Sequence, residues 1–453
     1  VDDVAPAGAR REVKATGKTV ALALALGSAG CYQARPLDAR SVMDEVAKEP
    51  LPIGAGAAPA AQGPAPGTLS ESDAVTLALK ANPDLRAARK QKGIAEGEVQ
   101  TAGQLNNPTV DFDFIHLTDY GTKNAWAVGL GWEPPQPGVY GAQKAAARAG
   151  AAAVDADIAE AEWQLSITVR AAHATLVSLG EKRVLIEKAL ENRKQIATLV
   201  EKRVNGGAST RIDLSLAQLA VSDVERERDD LAAQEIQAAT ALGLLMGTPP
   251  PAGATGALPD DASPPAPLEP LVDAAVSSRP ALAASEKRFL QREETVRAEH
   301  ARAWPWFRFT AVPRYRTDAS DVHPNDFAGG IRITLPILNQ NGGAIKTAEA
   351  TRDQERELFR KQVVGLRRDL ESARAVIDLR SATLKRYQTQ VLPGLEAQEK
   401  LLALSTSGGQ LDVVAVLQAA DVILRSRREY VDIKLDCYRA RLDLDKAVGP
   451  RKR

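Results

Sequence analysis

Residues 125–132 read AWAVGLGW and residues 327–335 read FAGGIRITL. In the first stretch Trp126, Val128, Leu130 and Trp132 hold one parity, and Ala125, Ala127, Gly129 and Gly131 hold the other. In the second, Phe327, Gly329, Ile331, Ile333 and Leu335 alternate with Ala328, Gly330, Arg332 and Thr334. Successive side chains of a strand point to opposite faces, so each stretch reads as a strand with one apolar face. Each has a companion upstream. Val110, Phe112 and Phe114 alternate with Asp111 and Asp113, while Phe307, Phe309, Ala311, Pro313 and Tyr315 alternate with Arg308, Thr310, Val312, Arg314 and Arg316. Strands at about 108–118, 125–133, 306–317 and 327–336 thus make two hairpins, and about 9 to 11 residues is the length of a strand that crosses a bilayer in a barrel. Trp132, Trp306 and Tyr315 fall near strand ends, where an interfacial aromatic girdle sits. A soluble antiparallel sheet with one wet face shows the same alternation. Two hairpins cannot close a spanning barrel, which needs about eight strands, but three copies of the chain supply a 12-stranded one.

The hairpins are set among long helical stretches. In the first half, residues 70–103, 141–204 and 210–246 read as helices of roughly 34, 64 and 37 residues, with the middle one about 95 Å long at 1.5 Å per residue. The flanking pair laid end to end comes to about 105 Å, so the two can stack into one partner for the long helix. The second half repeats the pattern at 271–303, 343–404 and 411–448. Ser70 with Asp73 supplies an N-cap, and Pro83 and Pro280 predict a kink in the first helix of each half. Stretches rich in Ala, Leu, Glu, Arg and Lys at this length are material for antiparallel helical hairpins rather than for one compact domain.

The halves are related by duplication. LKANPDL at 79–85 corresponds to VSSRPAL at 276–282, an offset of 197 residues at which Pro108 also meets Pro305. Gly206 and Gly207 correspond to Gly408 and Gly409, and Gly247 to Gly449, at an offset of 202. A near-constant offset over this span indicates an internal repeat. The organisation is then residues 69–250 and 271–449 as two repeats, a Pro-rich linker at 251–270 and a tail at 450–453.

Composition narrows the function. Lys plus Arg number 58 and Asp plus Glu number 58, so the charge that would draw the chain to nucleic acid is absent. Two cysteines and four scattered histidines give neither a disulfide framework nor metal-ligand spacing, and no cofactor or resident metal is expected. No phosphate loop or nucleophile motif is present, and an enzyme is not expected. Aromatic residues at 4% argue against a single large globular core.

The N-terminus carries an address. Lys14 and Lys18 precede the apolar run VALALAL at 20–26, and Gly27, Ser28, Ala29 and Gly30 lead into Cys31. Positive charge, a short apolar run and small residues make a secretory signal, too short to span a bilayer as a mature helix. Residues 1–31 also resemble a bacterial lipobox region, which implies lipidation of Cys31, although an ordinary cleaved signal beside a free cysteine fits the same residues. The segment 32–68, rich in Pro, Ala and Gly, reads as an extended tether.

Taken with the repeat and the hairpins, LSESDAVTLALKANPDLRAA, RVNGGASTRIDLSLAQ, GIRITLPILNQNGGAI and SGGQLDVVAVLQAADVIL resemble the TolC family of outer-membrane efflux proteins. The LPILNQNGGAI segment resembles its heavy-metal branch, typified by CzcC and CusC. The resemblance spans residues 69–449. It implies a mainly α protein with a membrane β-barrel: a homotrimer whose helical hairpins form a periplasmic α-barrel below a 12-stranded β-barrel in outer-membrane lipid. It implies passive conduction for an inner-membrane pump of RND type through a periplasmic adaptor. Under it the helix-to-helix tips become adaptor contacts, with Arg203, Val204, Gly206, Gly207 and Ser209 at one and Leu404, Ser405, Gly408, Gly409 and Leu411 at the other. Asp412 and Asp421 become candidates for the pore constriction, and Asp111, Asp113, Arg308, Arg314, Arg316 and Arg332 candidates for the barrel lumen. A non-channel periplasmic coiled-coil adaptor or scaffold lipoprotein is the alternative, and it leaves the four dyad strands without a purpose.

Overall fold

Ser70 opens the helical body. Its hydroxyl accepts the Asp73 N–H at 3.3 Å, capping α1 (Glu71–Ala81) behind the short strand β1 (Thr68–Leu69). In this computed structural model residues 38, 39, 43, 68–117, 123–316, 325–407 and 412–450 are described. The signal region with Cys31 and nearly all of the tether lie outside them. The chain divides into two units, Val1–Gly56 and Ala57–Arg453, and the elements below belong to the second.

The kink expected at Pro83 is a full break. Asn82 ends α1, and its side chain accepts the Leu85 N–H at 2.8 Å to start α2 (Pro83–Ala102). A proline at N1 gives up only an N–H that would have no partner there, so the chain restarts at no cost in hydrogen bonds. The second repeat does the same at Arg279, between α5 (Leu268–Ser278) and α6 (Pro280–Arg302).

The sheet joins the two hairpins. Strands β2 (Thr109–Leu117), β3 (Lys123–Trp132), β5 (Trp306–Arg316) and β6 (Asn325–Thr334) lie in the order β2-β3-β5-β6, antiparallel throughout, and among the described residues β2 and β6 form open edges. A separate parallel pair joins β1 to β4 (Gly253–Ala254).

Below the sheet α3 (Val139–Asn205) runs 67 residues without interruption, about 100 Å at the standard rise. It returns as α4 (Arg211–Met246). The second repeat has α7 (Gly342–Arg386), a π turn (Tyr387–Val391), α8 (Leu392–Ser407) and α9 (Val413–Val448). The single helix expected over 343–404 is therefore present, with its hydrogen-bond pattern shifted for one turn at Tyr387–Val391. Pro393 cannot donate to the carbonyl four residues back and its ring crowds that carbonyl, so the helix widens into a π turn just ahead of it.

Among the described residues the buried apolar side chains form several clusters rather than one core. Apolar clusters succeed one another down α3: Val169 and Leu176 with Ala74, Ala78, Leu242 and Met246; Ile186 and Leu190 with Val224 and Leu231; Ile196 and Val200 with Val413 and Val416. A further cluster joins Leu366, Leu370 and Ile377 of α7 to Leu444 and Val448 of α9. Aliphatic side chains suffice between helices, which is how so few aromatics support this length.

The repeat landmarks meet in space. Gly247 ends α4 with φ +65°, and a Cβ there would strike the Ala81 carbonyl oxygen, while Asn82 Nδ2 donates to the Leu245 carbonyl at 2.8 Å. Gly449 ends α9 with φ +92°, and a Cβ there would lie 3.1 Å from Arg279 Cα. Each repeat thus butts a glycine-terminated helix against its own helix–Pro–helix break, stacking the two short columns as their summed length requires.

The linker expected at 251–270 does more than connect. Leu258 is buried against Ile167, Val177, Leu435 and Leu442, and its N–H donates to Glu181 at 3.0 Å. Tyr430 and Gln388 donate to Asp260 at 2.6 and 2.8 Å, and Arg441 pairs with Asp261 at 2.6 Å. The segment is a strap tied across α3, α9 and the π turn. Burial, then the bond to Asp260, pushes the Tyr430 hydroxyl up to about 12. The Ser263 backbone N–H, with its hydroxyl and then Arg441, holds the Asp261 carboxyl below its ordinary value. Proline content concealed this anchoring, because prolines are compatible with a strap whose side chains and carbonyls make the bonds.

Candidate functional site

Strand register sorts the sheet into two chemistries. Phe112 faces Val128, Val110 faces Leu130, Trp132 faces Phe309, Phe309 faces Ile331 and Phe307 faces Ile333. Directly opposed residues share a face, so these positions form one continuous apolar surface. Phe112 is 78% exposed and Ile331 64% exposed, and Val110, Phe114, Leu130, Phe309 and Ile333 are also exposed. An apolar face of that extent is a contact surface for something other than water.

The opposite face is polar and charged. Asp111 and Asp113 face Gly129 and Ala127; Arg308 faces Arg332; Arg314 is in register with Ala127 and Asp326, and Arg316 with Ala125. All six candidate lumen positions therefore fall on one face, across both repeats. Two arginines directly opposite would repel. Arg308 instead donates to Glu133 at 2.6 Å, just beyond the end of β3. Small residues on this face give room to their neighbours: a Cβ at Gly131 would crowd the Thr109 hydroxyl, and one at Gly330 would stand 3.0 Å from the Thr310 hydroxyl. The first hairpin contributes acid to this face and the second contributes base.

Polar joints fix the sheet on the helices. Tyr140 of α3 donates to the Gly103 carbonyl at 2.6 Å, Gln136 to the Ala301 carbonyl at 2.9 Å, and Asn341 to the Glu299 carbonyl at 2.8 Å. Further down, Arg170 and Tyr438 both donate to Glu71, at 2.7 and 2.6 Å, fastening α1 to α3 and α9. Burial first and that bond second push Tyr438 up to about 12.

At the far end of α3 the turn is closed by its own backbone. Ala208 N–H donates to the Arg203 carbonyl at 2.7 Å and Gly207 N–H to the Val204 carbonyl at 3.0 Å, with Gly207 at φ +74°. This is a Schellman closure, and it needs a residue without Cβ at Gly207. Thr210 and Asp213 then form a reciprocal capping box for α4. Gly206, Val204 and Ser209 complete this tip, and the Arg203 side chain reaches the Ala208 carbonyl at 3.5 Å. Of the second tip, Leu404 and Ser405 lie on the backbone of α8, and Gly408, Gly409 and Leu411 fall outside the described residues.

The two aspartates expected at a constriction have local partners. Asp412 caps α9, accepting the Val414 and Ala415 N–H groups at 3.1 Å. Asp421 pairs with Arg193 of α3, a residue only 2% exposed, which also donates to the Leu417 carbonyl at 3.2 Å. Sequence reading passed over Arg193. The signal was available, since Ile186, Leu190, Arg193, Ile196 and Val200 recur at three- and four-residue steps, which puts an arginine in the buried stripe. Among the described residues no group of three or more His, Cys, Asp or Glu gathers to hold a metal, and no helix is long and apolar enough to cross a membrane.

The comparisons follow the same outline. The cobalt-zinc-cadmium resistance protein CzcC of Cupriavidus metallidurans is 24% identical over 392 residues, covering 85% of this chain and 91% of that one. Among solved structures, CusC matches with a TM-score of 0.71 at 19% identity, covering 84% of this chain and 92% of that one. The MtrE outer membrane channel of Neisseria gonorrhoeae, in its open state, matches with a TM-score of 0.69 at 19% identity over 84% and 88%. These structural likenesses concern the fold: a helical barrel joined to a β-barrel. The family model described as outer membrane efflux protein matches residues 74–248 and 271–450, both repeats in turn. With two faces of opposite chemistry on a sheet open at both edges, carried by helical columns of matched length, the chain belongs to the outer membrane efflux protein family.

Proposed function

We propose that three copies of this chain close the sheet into a 12-stranded barrel in the outer membrane, and that the assembly is the passive exit duct of a tripartite efflux system. The observation that carries the reading is the four-stranded sheet with an exposed apolar face, a charged face and two unpaired edges. Four strands cannot close, because about eight are the minimum, and an open edge in lipid leaves backbone groups unsatisfied. Pairing β6 of one copy with β2 of the next removes every edge and sets the apolar face toward lipid.

The charged face then lines the lumen, where threefold symmetry makes each of Asp111, Asp113, Arg308, Arg314, Arg316 and Arg332 a ring of three that biases ion passage. The closed Gly206–Gly207 turn, with Arg203, Val204 and Ser209, meets a periplasmic adaptor, as does the second tip with Leu404, Ser405, Gly408, Gly409 and Leu411. The inner-membrane pump behind that adaptor is of RND type. Asp412, exposed at the head of α9, offers a negative ring near the periplasmic end, whereas Asp421 is offset in charge by Arg193. Lipidation at Cys31 anchors the chain to the outer membrane. Likeness to CzcC supports divalent transition-metal ions as cargo.

The test is fractionation and mass. Protein extracted from the outer-membrane fraction should have the mass of three chains, and cells lacking it should lose resistance to cobalt, zinc or cadmium. A monomer in the soluble periplasmic fraction would refute the duct, and unchanged resistance to all three ions would refute the cargo.

A further inference from the structure

The two edges of the sheet carry opposite charge on the same face. Asp111 and Asp113 are exposed on the β2 edge, and Arg332 is exposed on the β6 edge. Within the chain Arg332 stands opposite Arg308, which is already satisfied by Glu133. Among the described residues Arg332, Asp111 and Asp113 form no ion pair, and the arginines of β5 are two strands from the aspartates, with β3 between.

Register decides what a second copy brings to Arg332. Thr109, Gly131, Thr310 and Gly330 form one row across the four strands. Three antiparallel steps leave β6 running opposite to β2, so β2 of a second copy joins β6 antiparallel. In a closed barrel with strands tilted by about 35–45° and about 4.8 Å apart, crossing four strands carries a row about 13–19 Å along the strand, or about four to six residues. Only an even step keeps the apolar face continuous, which leaves about four or about six. The strand ends give the direction. β2 begins on the row, at Thr109, whereas Trp306 and Thr334, which pair, lie four residues below it. Strand starts thus step downward toward β6, and the row climbs on β2 of the next copy. A step of about four sets Arg332 opposite Asp111 of that copy, and a step of about six sets it opposite Asp113; in either case the other aspartate is the diagonal neighbour.

We propose that Arg332 of each copy pairs with Asp111 and Asp113 of the next, closing the ring with an ion bridge at every β6–β2 junction on the lumen face. This rests on the trimeric barrel proposed above. Charge selects the edge: β2 against β2 opposes aspartates and β6 against β6 opposes arginines, so only the head-to-tail junction that closes a ring is complementary. An exposed ion pair adds little stability, so the bridge sets partner and register while the backbone ladder and the apolar face hold the trimer.

The experiment is cysteine cross-linking in outer membranes, with the mass of the unmodified protein measured beside it. Arg332→Cys combined with Asp111→Cys or with Asp113→Cys should give covalent trimer under copper phenanthroline, because directly opposed residues of antiparallel strands lie within disulfide reach. Arg332→Cys alone, or with Val110→Cys on the other face, should not. Arg332→Glu should lower the temperature at which the trimer dissociates in SDS, and adding Asp111→Lys and Asp113→Lys should restore it. Unmodified protein of three-chain mass with no cross-link from either aspartate position, or no restoration by the charge swap, overturns the bridge and leaves the duct standing. Unmodified protein of one-chain mass refutes the duct and the bridge with it.

Discussion

The two repeats are built to one plan and differ in two places. Both break a helix before a proline, both butt that break against a glycine at the end of their last helix, and both supply one strand hairpin. In the first repeat α3 is continuous from sheet to tip, and its polar strand face is acidic at Asp111 and Asp113. In the second, the equivalent helix carries a π turn before Pro393, and the polar face is basic at Arg308 and Arg332. Duplication therefore preserved what sets the length of the columns and left free what sets their stiffness and charge. The uninterrupted helix serves as a spine, carrying most of the apolar clusters, and the second hairpin is fastened to it by ion pairs such as Arg193–Asp421, Lys182–Asp432 and Lys434–Glu181.

The shared plan is tested by substitutions expected to act alike in both halves. Phe112→Arg and Ile331→Arg place a cation on the apolar face of the first and second hairpin, and each should cost about 2–4 kcal/mol of membrane assembly, read as loss of trimer from the outer membrane. A large effect in one hairpin and none in the other would break the equivalence of the strands. Next in size, Gly247→Ala and Gly449→Ala force a Cβ into the helix breaks at positive φ, and each should cost about 1–3 kcal/mol in thermal unfolding. Gly247 should be the worse, because there the new carbon meets a carbonyl oxygen outright.

The differences are sharpened by smaller changes. Asp421→Asn leaves the buried Arg193 without its anion and should destabilise by about 1–2 kcal/mol, discounted because the Asp421 side chain is 60% exposed. Pro393→Ala removes the cause of the π turn and should stabilise by up to about 1 kcal/mol in thermal unfolding. An alanine at an exposed position of the uninterrupted α3, as in Glu201→Ala, should have no such effect. Smallest in energy, Asp111→Asn and Arg332→Gln should shift cation-over-anion selectivity in opposite directions without affecting assembly.

Much of this was legible in the residues themselves. Alternation at 110–114, 126–132, 307–315 and 327–335 located the strands and their two faces, because a period of two is a local property of the chain. Helix lengths and the repeat landmarks gave the stacked columns for the same reason. What escaped depends on contacts distant in sequence. The strap at 251–270 reads as a linker until Leu258 is seen between α3 and α9, more than 70 residues from one and 170 from the other. Glu133 reads as a loop acid until β5 brings Arg308 beside it. Asp421 reads as an acid without a partner until the fold brings Arg193, buried in the neighbouring helix, to its carboxylate.

The central claim is that the charged face of the sheet encloses a conducting path and the apolar face meets lipid. Single-channel recording in planar bilayers, on detergent-purified protein whose mass in solution is measured in parallel, tests it most directly. A species of three chains that inserts and conducts in discrete steps is expected. A soluble species that never inserts would mean that the sheet is an ordinary wet one and that no duct is formed.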